Sequence, residues 1–308
     1  MNTQEVPSTA GRDPAEPTPP ARRRARRFGI AATIALAAAL VPSSIAAATS
    51  SGPTHQQGSA NAAEHHSSAK PTIVLVHGAW ADNSSWSGEV QRLQAAGYPV
   101  AVAPTPLRGL SEDSDYLKSF LASISGPVVL VGHSYGGSVI TNAATGNAAV
   151  KALVYIDAYI PDTGQSAAEL SGPDAALSSA ATDPTSVFSL VPYPGAPAGI
   201  VDTYVLPSVF TSGFAGDLPK AKAAVLAASQ TPTSLKAITE PSGAPAWKTI
   251  PSWALVGKQD KVIPPAQQRA MAAHAGSHVT EINSAHMSLI SHPAQTTALI
   301  LTAVRATN

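Results

Sequence analysis

The segment Val128–Val139, VVLVGHSYGGSV, constrains this chain more than any other stretch. Its run of β-branched and apolar residues reads as a buried strand. The run meets Gly132-His133-Ser134-Tyr135-Gly136, and a helix-compatible segment follows. Strand, sharp turn and helix are the context in which a G-x-S-x-G pentapeptide forms a nucleophile elbow. The glycines have a steric reason. A serine in a tight, strained turn crowds the residues two before and two after it, so both must be nearly free of side chain. The turn lifts the hydroxyl above the sheet edge, with a helix N-terminus beneath it. Alone, the pentapeptide is a weak pattern. Four apolar residues before it and Gly137 after it make Ser134 a candidate nucleophile. The competing reading is a glycine-rich β–α turn that carries an incidental serine.

The sequence around the elbow alternates strand and helix. Strands are expected at Thr72–Val76, Tyr98–Ala103, Val128–Val131, Ala152–Ile156, Ser252–Val256 and His278–Ile282. Helices are expected after Asn83 as N-cap, then over Ser111–Ile124, Gly136–Ala144, Pro265–Ala275 and Ser288–Arg305. Such alternation gives a parallel sheet covered on both faces. Between Tyr159 and Lys248 it fails. This stretch is rich in Pro, Gly, Ser and Thr, with scattered Phe188, Tyr193, Tyr204, Phe210 and Phe214. Two helical pieces are expected in it, Asp217–Ser229 and Pro232–Ile238. A long insertion between two strands is usually functional, so residues 159–248 read as a lid. A decorative surface insertion is the alternative.

A serine hydroxyl is a poor nucleophile at neutral pH. It needs a base, and the base needs an orienting acid. Behind an elbow of this kind the partners follow in the order Ser, acid, His. Strand Ser252–Val256 runs into Gly257-Lys258-Gln259-Asp260, and strand His278–Ile282 runs into Asn283-Ser284-Ala285-His286. Asp260 and His286 are therefore the candidate acid and base. Asp157, at the end of an earlier strand, is the rival acid. His133 is expected to pack beside the nucleophile, His292 to decorate the last helix, and His274 and His278 to lie at the surface. The oxyanion of an acyl-transfer intermediate needs two backbone donors. Tyr135 N–H, directly after the nucleophile, is one candidate. Ala79 N–H, in the loop His77-Gly78-Ala79-Trp80, is the other, with Gly78 permitting close approach. His77 is expected to hold that loop. Trp80 and Trp86 fit either a pocket wall or the core.

The chain has 308 residues and no cysteine, which excludes disulfides and thiolate metal sites. Residues 1–48 hold six Arg against Glu5, Asp13 and Glu16, so the remainder carries 13 basic and 16 acidic residues. A mildly acidic body with no basic run excludes nucleic acid as an expected partner. Arg22-Arg23-Arg24-Ala25-Arg26-Arg27 precedes an apolar stretch, Phe28–Val41, and then Ser44-Ile45-Ala46-Ala47-Ala48. A basic n-region, a short h-region and small residues at the end predict a secretory signal peptide over residues 1–48, cleaved near Ala48. An uncleaved anchor is the alternative; the apolar run is short for a membrane span and Pro42 interrupts its end. Residues 49–70 have almost nothing to bury and read as a disordered linker. His55, His65 and His66 there read as solvated. The expected mature protein is extracellular, a monomer or weak dimer without stable membrane association.

From Thr72 to Arg305 the chain resembles the α/β-hydrolase superfamily. More narrowly, it is similar to EstC-like bacterial esterases and to the plant methyl esterase and hydroxynitrile lyase group. The matching residues are HGAW at His77–Trp80, GHSYGG at Gly132–Gly137, GKQDKVIPP at Gly257–Pro265 and SAHMSLISHP at Ser284–Pro293. The resemblance implies an eight-stranded, mostly parallel sheet, a lid after the sixth strand, and no cofactor or metal. It implies a small-molecule ester as substrate. In the related lyases a threonine follows the first motif's histidine and a lysine follows the catalytic histidine. Here those places hold Gly78 and Met287, as in the esterases. Lactone opening and cofactor-free perhydrolysis on the same triad remain open, as does a non-catalytic ligand-binding role.

Overall fold

Runs of Val, Ile, Leu and Ala with almost no interrupting charge make fully buried strands, and such strands pair in parallel when helices cover both faces. The computed structural model describes residues 70–307 together with Met1. In chain order the strands are β1 (Thr72–Val76), β2 (Val100–Ala103), β3 (Val128–His133), β4 (Val150–Ile156), β5 (Phe188–Val191), β6 (Asp202–Val205), β7 (Thr233–Ser234), β8 (Ser252–Gly257) and β9 (His278–Ile282). Six of them form one sheet in the order β2-β1-β3-β4-β8-β9, parallel at every pairing. All of β3 is buried, and all of β4 except Lys151.

The helices are α1 (Ser87–Ala95), α2 (Leu110–Ala122), α3 (Tyr135–Ala143), α4 (Ala167–Ser171), α5 (Pro207–Val209), α6 (Lys220–Ala228), α7 (Leu235–Thr239), α8 (Pro265–His274), α9 (Ser288–Ser291) and α10 (Pro293–Thr307). The elbow helix α3 lies against β1, β3 and β4, and α10 lies against β3, β4 and β8. Helix α3 is buried nearly all round, with Val139, Ile140 and Ala143 in the core.

The α/β-hydrolase fold is present, with a correction to the expected strand count. The sheet has six strands among the described residues, not eight. It begins at Thr72, and residues 49–69 just before it contain no β-branched apolar run to extend it. The insertion accordingly follows the fourth strand of this sheet rather than a sixth. The signal peptide expected over residues 1–48, and the linker expected over 49–70 except Lys70, lie outside the described residues.

Local expectations differ from the structure in three instructive places. The first helical cap is Asp82, not Asn83: its carboxylate accepts the Ser84 N–H at 2.6 Å and starts a 3-10 turn that leads into α1. The single helix expected over Ser288–Arg305 is broken at His292, whose φ is −132°. Pro293 has no N–H to give and disfavours helical backbone at the residue before it. The helix expected over Pro232–Ile238 begins instead as β7, because Thr233 and Ser234 pair with Thr203 and Asp202 of β6. The insertion thus carries a small antiparallel sheet, β5-β6-β7.

One buried charge is out of place in this core. Glu89, in the first turn of α1, is fully buried, and among the described residues neither of its carboxylate oxygens has a hydrogen-bond partner. Burial pushes its pKa up to about 8. The native protein therefore keeps this proton to about pH 8, while the unfolded chain releases it near the ordinary 4.5. The contribution is fully present below pH 4.5 and is lost as pH rises towards 8. Glu89→Gln removes that loss. Thermal midpoints measured from pH 5 to 8 should fall for the wild type relative to the variant; parallel curves would refute the assignment.

Candidate active site

The site is assembled where the chain leaves the carboxyl ends of β1, β3, β8 and β9, the edge at which open α/β sheets bind ligands. At the end of β3 the backbone turns through Ser134 with φ 53° and ψ −124°, a strained conformation for a residue with a side chain. Tight packing around the turn explains the three glycines. A Cβ on Gly132 would lie 2.5 Å from the Gly136 carbonyl oxygen, and one on Gly137 would lie 2.4 Å from the Tyr159 carbonyl oxygen. Ser134 N–H donates to the Ile156 carbonyl at 3.2 Å, and the Ser134 carbonyl accepts from Gly137 and Tyr159 N–H. The turn is thereby tied to the end of β4.

Ser134, His286 and Asp260 come together as the sequence predicts. Ser134 Oγ lies 2.9 Å from His286 Nε2, and His286 Nδ1 lies 2.8 Å from Asp260 Oδ2. Asp260 Oδ1 accepts from Val262 N–H at 2.8 Å and Ile263 N–H at 3.0 Å, and Oδ2 also accepts from Gln268 Nε2 at 2.8 Å. Burial pushes the Asp260 carboxyl up; these donors act in the opposite direction and favour its charged form. Burial pushes the His286 imidazole down, to about 3. A neutral ring with its proton on Nδ1, donated to Asp260, leaves Nε2 free to accept from Ser134. Among the described residues the rival acid, Asp157, makes no hydrogen bond to His286. Its Oδ1 accepts from Gly257 N–H at 2.9 Å, and its Oδ2 from Ser288 N–H at 3.2 Å and from Ser288 Oγ.

The loop after β1 sits directly beside the serine. A Cβ on Gly78 would meet Ser134 Cβ at 2.7 Å, so only glycine permits this approach. His77 holds the loop: its Nδ1–H donates to the Gly78 carbonyl at 2.9 Å, while Nε2 accepts from Thr105 N–H at 3.3 Å. Burial keeps that imidazole neutral, as this arrangement requires. Among the described residues neither Ala79 N–H nor Tyr135 N–H donates to a protein acceptor. Trp80, at φ 56°, gives its backbone N–H to Thr233 Oγ1 and its indole N–H to the Thr203 carbonyl and hydroxyl. The insertion strands β6 and β7 therefore anchor the residue next to Ala79. Trp86 belongs to the core.

The remaining histidines fall into place. His133 packs 4.9 Å from the His286 ring, and its Nε2–H donates to the His286 carbonyl at 2.9 Å. His274 pairs with Asp162 at the surface, and His278 lies on the exposed edge strand β9. His292 stands at the break before α10, 3.7 Å from Asp217, rather than within the helix.

Three features of the site escaped the sequence. Phe214 sets its ring edge-on to His286 at 5.2 Å and stacks on Phe210 at 5.0 Å, closing that side of the imidazole. Gln268, one helical turn into α8, steadies the carboxylate of Asp260. Asp113 of α2 accepts from Tyr135 Oη at 2.7 Å and from Arg108 N–H. None has a motif of its own; only the aromatic content of the insertion hinted at the first. Above Ser134 opens a cavity of about 700 Å³, walled by Tyr159, Leu177, Phe188, Leu235, Ile238 and Val262. Among the described residues Glu169 is its only charged lining residue.

Fold and site together define an α/β protein of the serine-elbow kind. The sequence profile of the alpha/beta hydrolase family matches residues 73–299, and the chain belongs to that family. It is 36% identical over 108 residues to a carbendazim hydrolyzing esterase of Nocardioides sp. (strain SG-4G), covering 30% of this chain and 44% of that protein. It is 31% identical over 108 residues to an alpha-hydroxynitrile lyase of Arabidopsis thaliana, covering 30% and 42%. The match thus spans less than half the length of these curated relatives. Among solved structures, a pyrethroid hydrolase from Sphingobium faniae JZ-2 superposes with a TM-score of 0.61 at 21% identity, covering 77% of this chain and 98% of that one.

The buried Tyr135–Asp113 bond locks the first turn of α3 against α2. Tyr135→Phe leaves a buried carboxyl oxygen without its donor, at a cost of about 1–3 kcal/mol. Urea unfolding should show that loss; an unchanged midpoint would mean that water replaces the phenol without cost.

Proposed function

We propose that this chain is a secreted carboxylic ester hydrolase that works through Ser134, His286 and Asp260 and a covalent acyl-enzyme. The observation that carries the reading is one unbroken hydrogen-bond chain. It runs from Ser134 Oγ through both nitrogens of His286 to a fully buried Asp260, beside two backbone N–H groups with no protein acceptor. Ser134 Oγ attacks the ester carbonyl carbon as its proton passes to His286 Nε2. The N–H groups of Ala79 and Tyr135 receive the oxyanion; removal of one such donor costs roughly 3–4 kcal/mol of transition-state stabilisation. The imidazolium then protonates the departing alcohol, while Asp260 holds the ring and stabilises its charge. Water, deprotonated by His286, attacks the acyl-enzyme carbonyl. Collapse of that intermediate frees the acid and restores Ser134.

The cavity supports an uncharged, apolar ester of small to medium size. Its volume of about 700 Å³ falls within the range that holds drug-sized ligands, and its walls are mainly aliphatic and aromatic. The esterase and hydrolase names of the similar proteins point the same way. Met287, buried beside His286, offers no cation to a cyanide leaving group, which favours hydrolysis over lyase chemistry. Export rests on the leader-like residues 1–48, with cleavage near Ala48.

Hydrolysis of p-nitrophenyl esters from acetate to palmitate tests the reading. Ser134→Ala should abolish turnover with its thermal midpoint kept near that of the wild type. Retained turnover in that variant would overturn the assignment of the nucleophile. Because burial lowers the pKa of His286, the acid limb of kcat/KM should lie below the ordinary imidazole value of about 6.5. An acid limb at or above that value would show that the ring is not held neutral by its surroundings.

A further inference from the structure

The elements that carry the acid and the base leave the sheet separately, from β8 and β9, and each needs a fixed position relative to the other. Asp260 sits three residues beyond Gly257, the last residue of β8, and His286 lies in the loop between β9 and α9. A single side chain from a third strand grips both. Asp157 follows β4, is fully buried and has φ 44°, a left-handed conformation that costs free energy for any residue but glycine. Its Oδ1 accepts the N–H of Gly257, where the Asp260 loop begins. Its Oδ2 accepts the N–H and the hydroxyl of Ser288, two residues after His286. A Cβ on Gly257 would lie 2.9 Å from Asp157 Oδ1 and 2.9 Å from the Ser284 carbonyl oxygen, so β8 is glycine where the carboxylate reaches it.

We propose that Asp157 is a positioning residue: its carboxyl group clamps the Asp260 loop to the His286 loop and so sets the distance between acid and base. The inference rests on the hydrolase reading above. Asp157 does not line the cavity, and among the described residues its carboxylate bonds Gly257 and Ser288 rather than Ser134. The alternative role, second acid to the histidine, does not fit, since the hydrogen bonds of Asp157 go to Gly257 and Ser288 and His286 is already held by Asp260. Burying a second carboxyl near Asp260 is costly, and the two repel when both are charged. A leucine would cover the same ground at less cost if packing alone were needed here.

The test compares Asp157→Asn, Ser288→Ala and the double variant in the full-length protein. An amide whose oxygen faces Gly257 N–H turns its NH2 group on the Ser288 N–H and loses that bond, keeping only a reversed contact in which the Ser288 hydroxyl accepts. Ser288→Ala removes the hydroxyl contact alone and is expected to fold even if Asp157→Asn does not. Small displacements of reacting groups cost up to about a hundredfold in rate. Asp157→Asn should lower kcat on a p-nitrophenyl ester by about ten- to a hundredfold, with KM near the wild-type value. Ser288→Ala should lower kcat less, and the double variant should lose less than the product of the two single effects. The low-field proton resonance of His286 Nδ1–H should shift or broaden in each variant, and the rate of Ser134 labelling by a fluorophosphonate should fall with kcat. Folded variants with wild-type kcat, labelling rate and Nδ1–H resonance would overturn the clamp. A fall in thermal midpoint without any change in those three readouts would overturn it equally, as a purely structural role. Failure of the wild type to label at Ser134 would instead overturn the hydrolase reading, and the clamp's part in catalysis with it.

Discussion

Close backbone packing at the carboxyl end of β3 is the constraint from which the rest of the site follows. Four glycines sit where any Cβ would fall 2.4–2.7 Å from a neighbouring atom: Gly78 against Ser134, Gly132 against Gly136, Gly136 against the Val76 carbonyl, and Gly137 against the Tyr159 carbonyl. Real side chains do not tolerate such distances, so the loop after β1 must be glycine where it meets the elbow, and the elbow must be glycine where it meets itself, the end of β1 and the start of the insertion. That packing holds Ser134 at a strained φ, because the surrounding backbone leaves it no other conformation. It also brings the Ala79 segment within reach of the serine. Ser134 and the Ala79 segment, the proposed nucleophile and one proposed oxyanion donor, are therefore positioned by the same steric fact.

Electrostatics then settles what the remaining groups do. Burial beneath Ser134 pushes His286 down and both Asp157 and Asp260 up. In such surroundings a charge survives only where donors converge on it. Asp260 collects two backbone N–H groups, a glutamine amide and the imidazole N–H. Asp157 has its own donors, directed from the neighbouring loops. The two carboxyls are similar in burial and differ in their partners. That difference, more than their order in the chain, makes one a partner of the histidine and the other a link between loops.

The sequence made the core of this arrangement legible because its signals were local. The elbow glycines, the strand runs and the short loops ending in Asp260 and His286 are each read within ten residues; a parallel sheet covered on both faces follows from their alternation, and the alpha/beta hydrolase fold from the resemblance that the motifs carry. The choice of Asp260 over Asp157 came from the same order of motifs, and the hydrogen bonds agree with it. What stayed hidden was long-range. Nothing near Thr203 or Thr233 announces that they hold Trp80, over 100 residues earlier. The β7 strand was concealed by a helix-compatible sequence, since its pairing with β6 outweighs local preference. Asp82 displaced Asn83 as a cap by one residue, within the ordinary uncertainty of helix boundaries. The eight-strand expectation came from the resemblance rather than from the residues, and the six strands described here are those the residues themselves support.

The insertion is bonded to the candidate site as well as lining its cavity. Its strands β6 and β7 supply the acceptors for both N–H groups of Trp80, and Arg108 of the core reaches Asp202 of β6 at 2.6 Å. Trp80 in turn stacks on Phe188 and meets Phe214 edge-on, and Phe214 closes over His286. A contiguous set of contacts thus runs from the insertion sheet to the residue beside Ala79, and from the aromatic cluster to His286. Trp80, which itself lines the cavity, is therefore bonded to the insertion strands and stacked on Phe188 of the cavity wall.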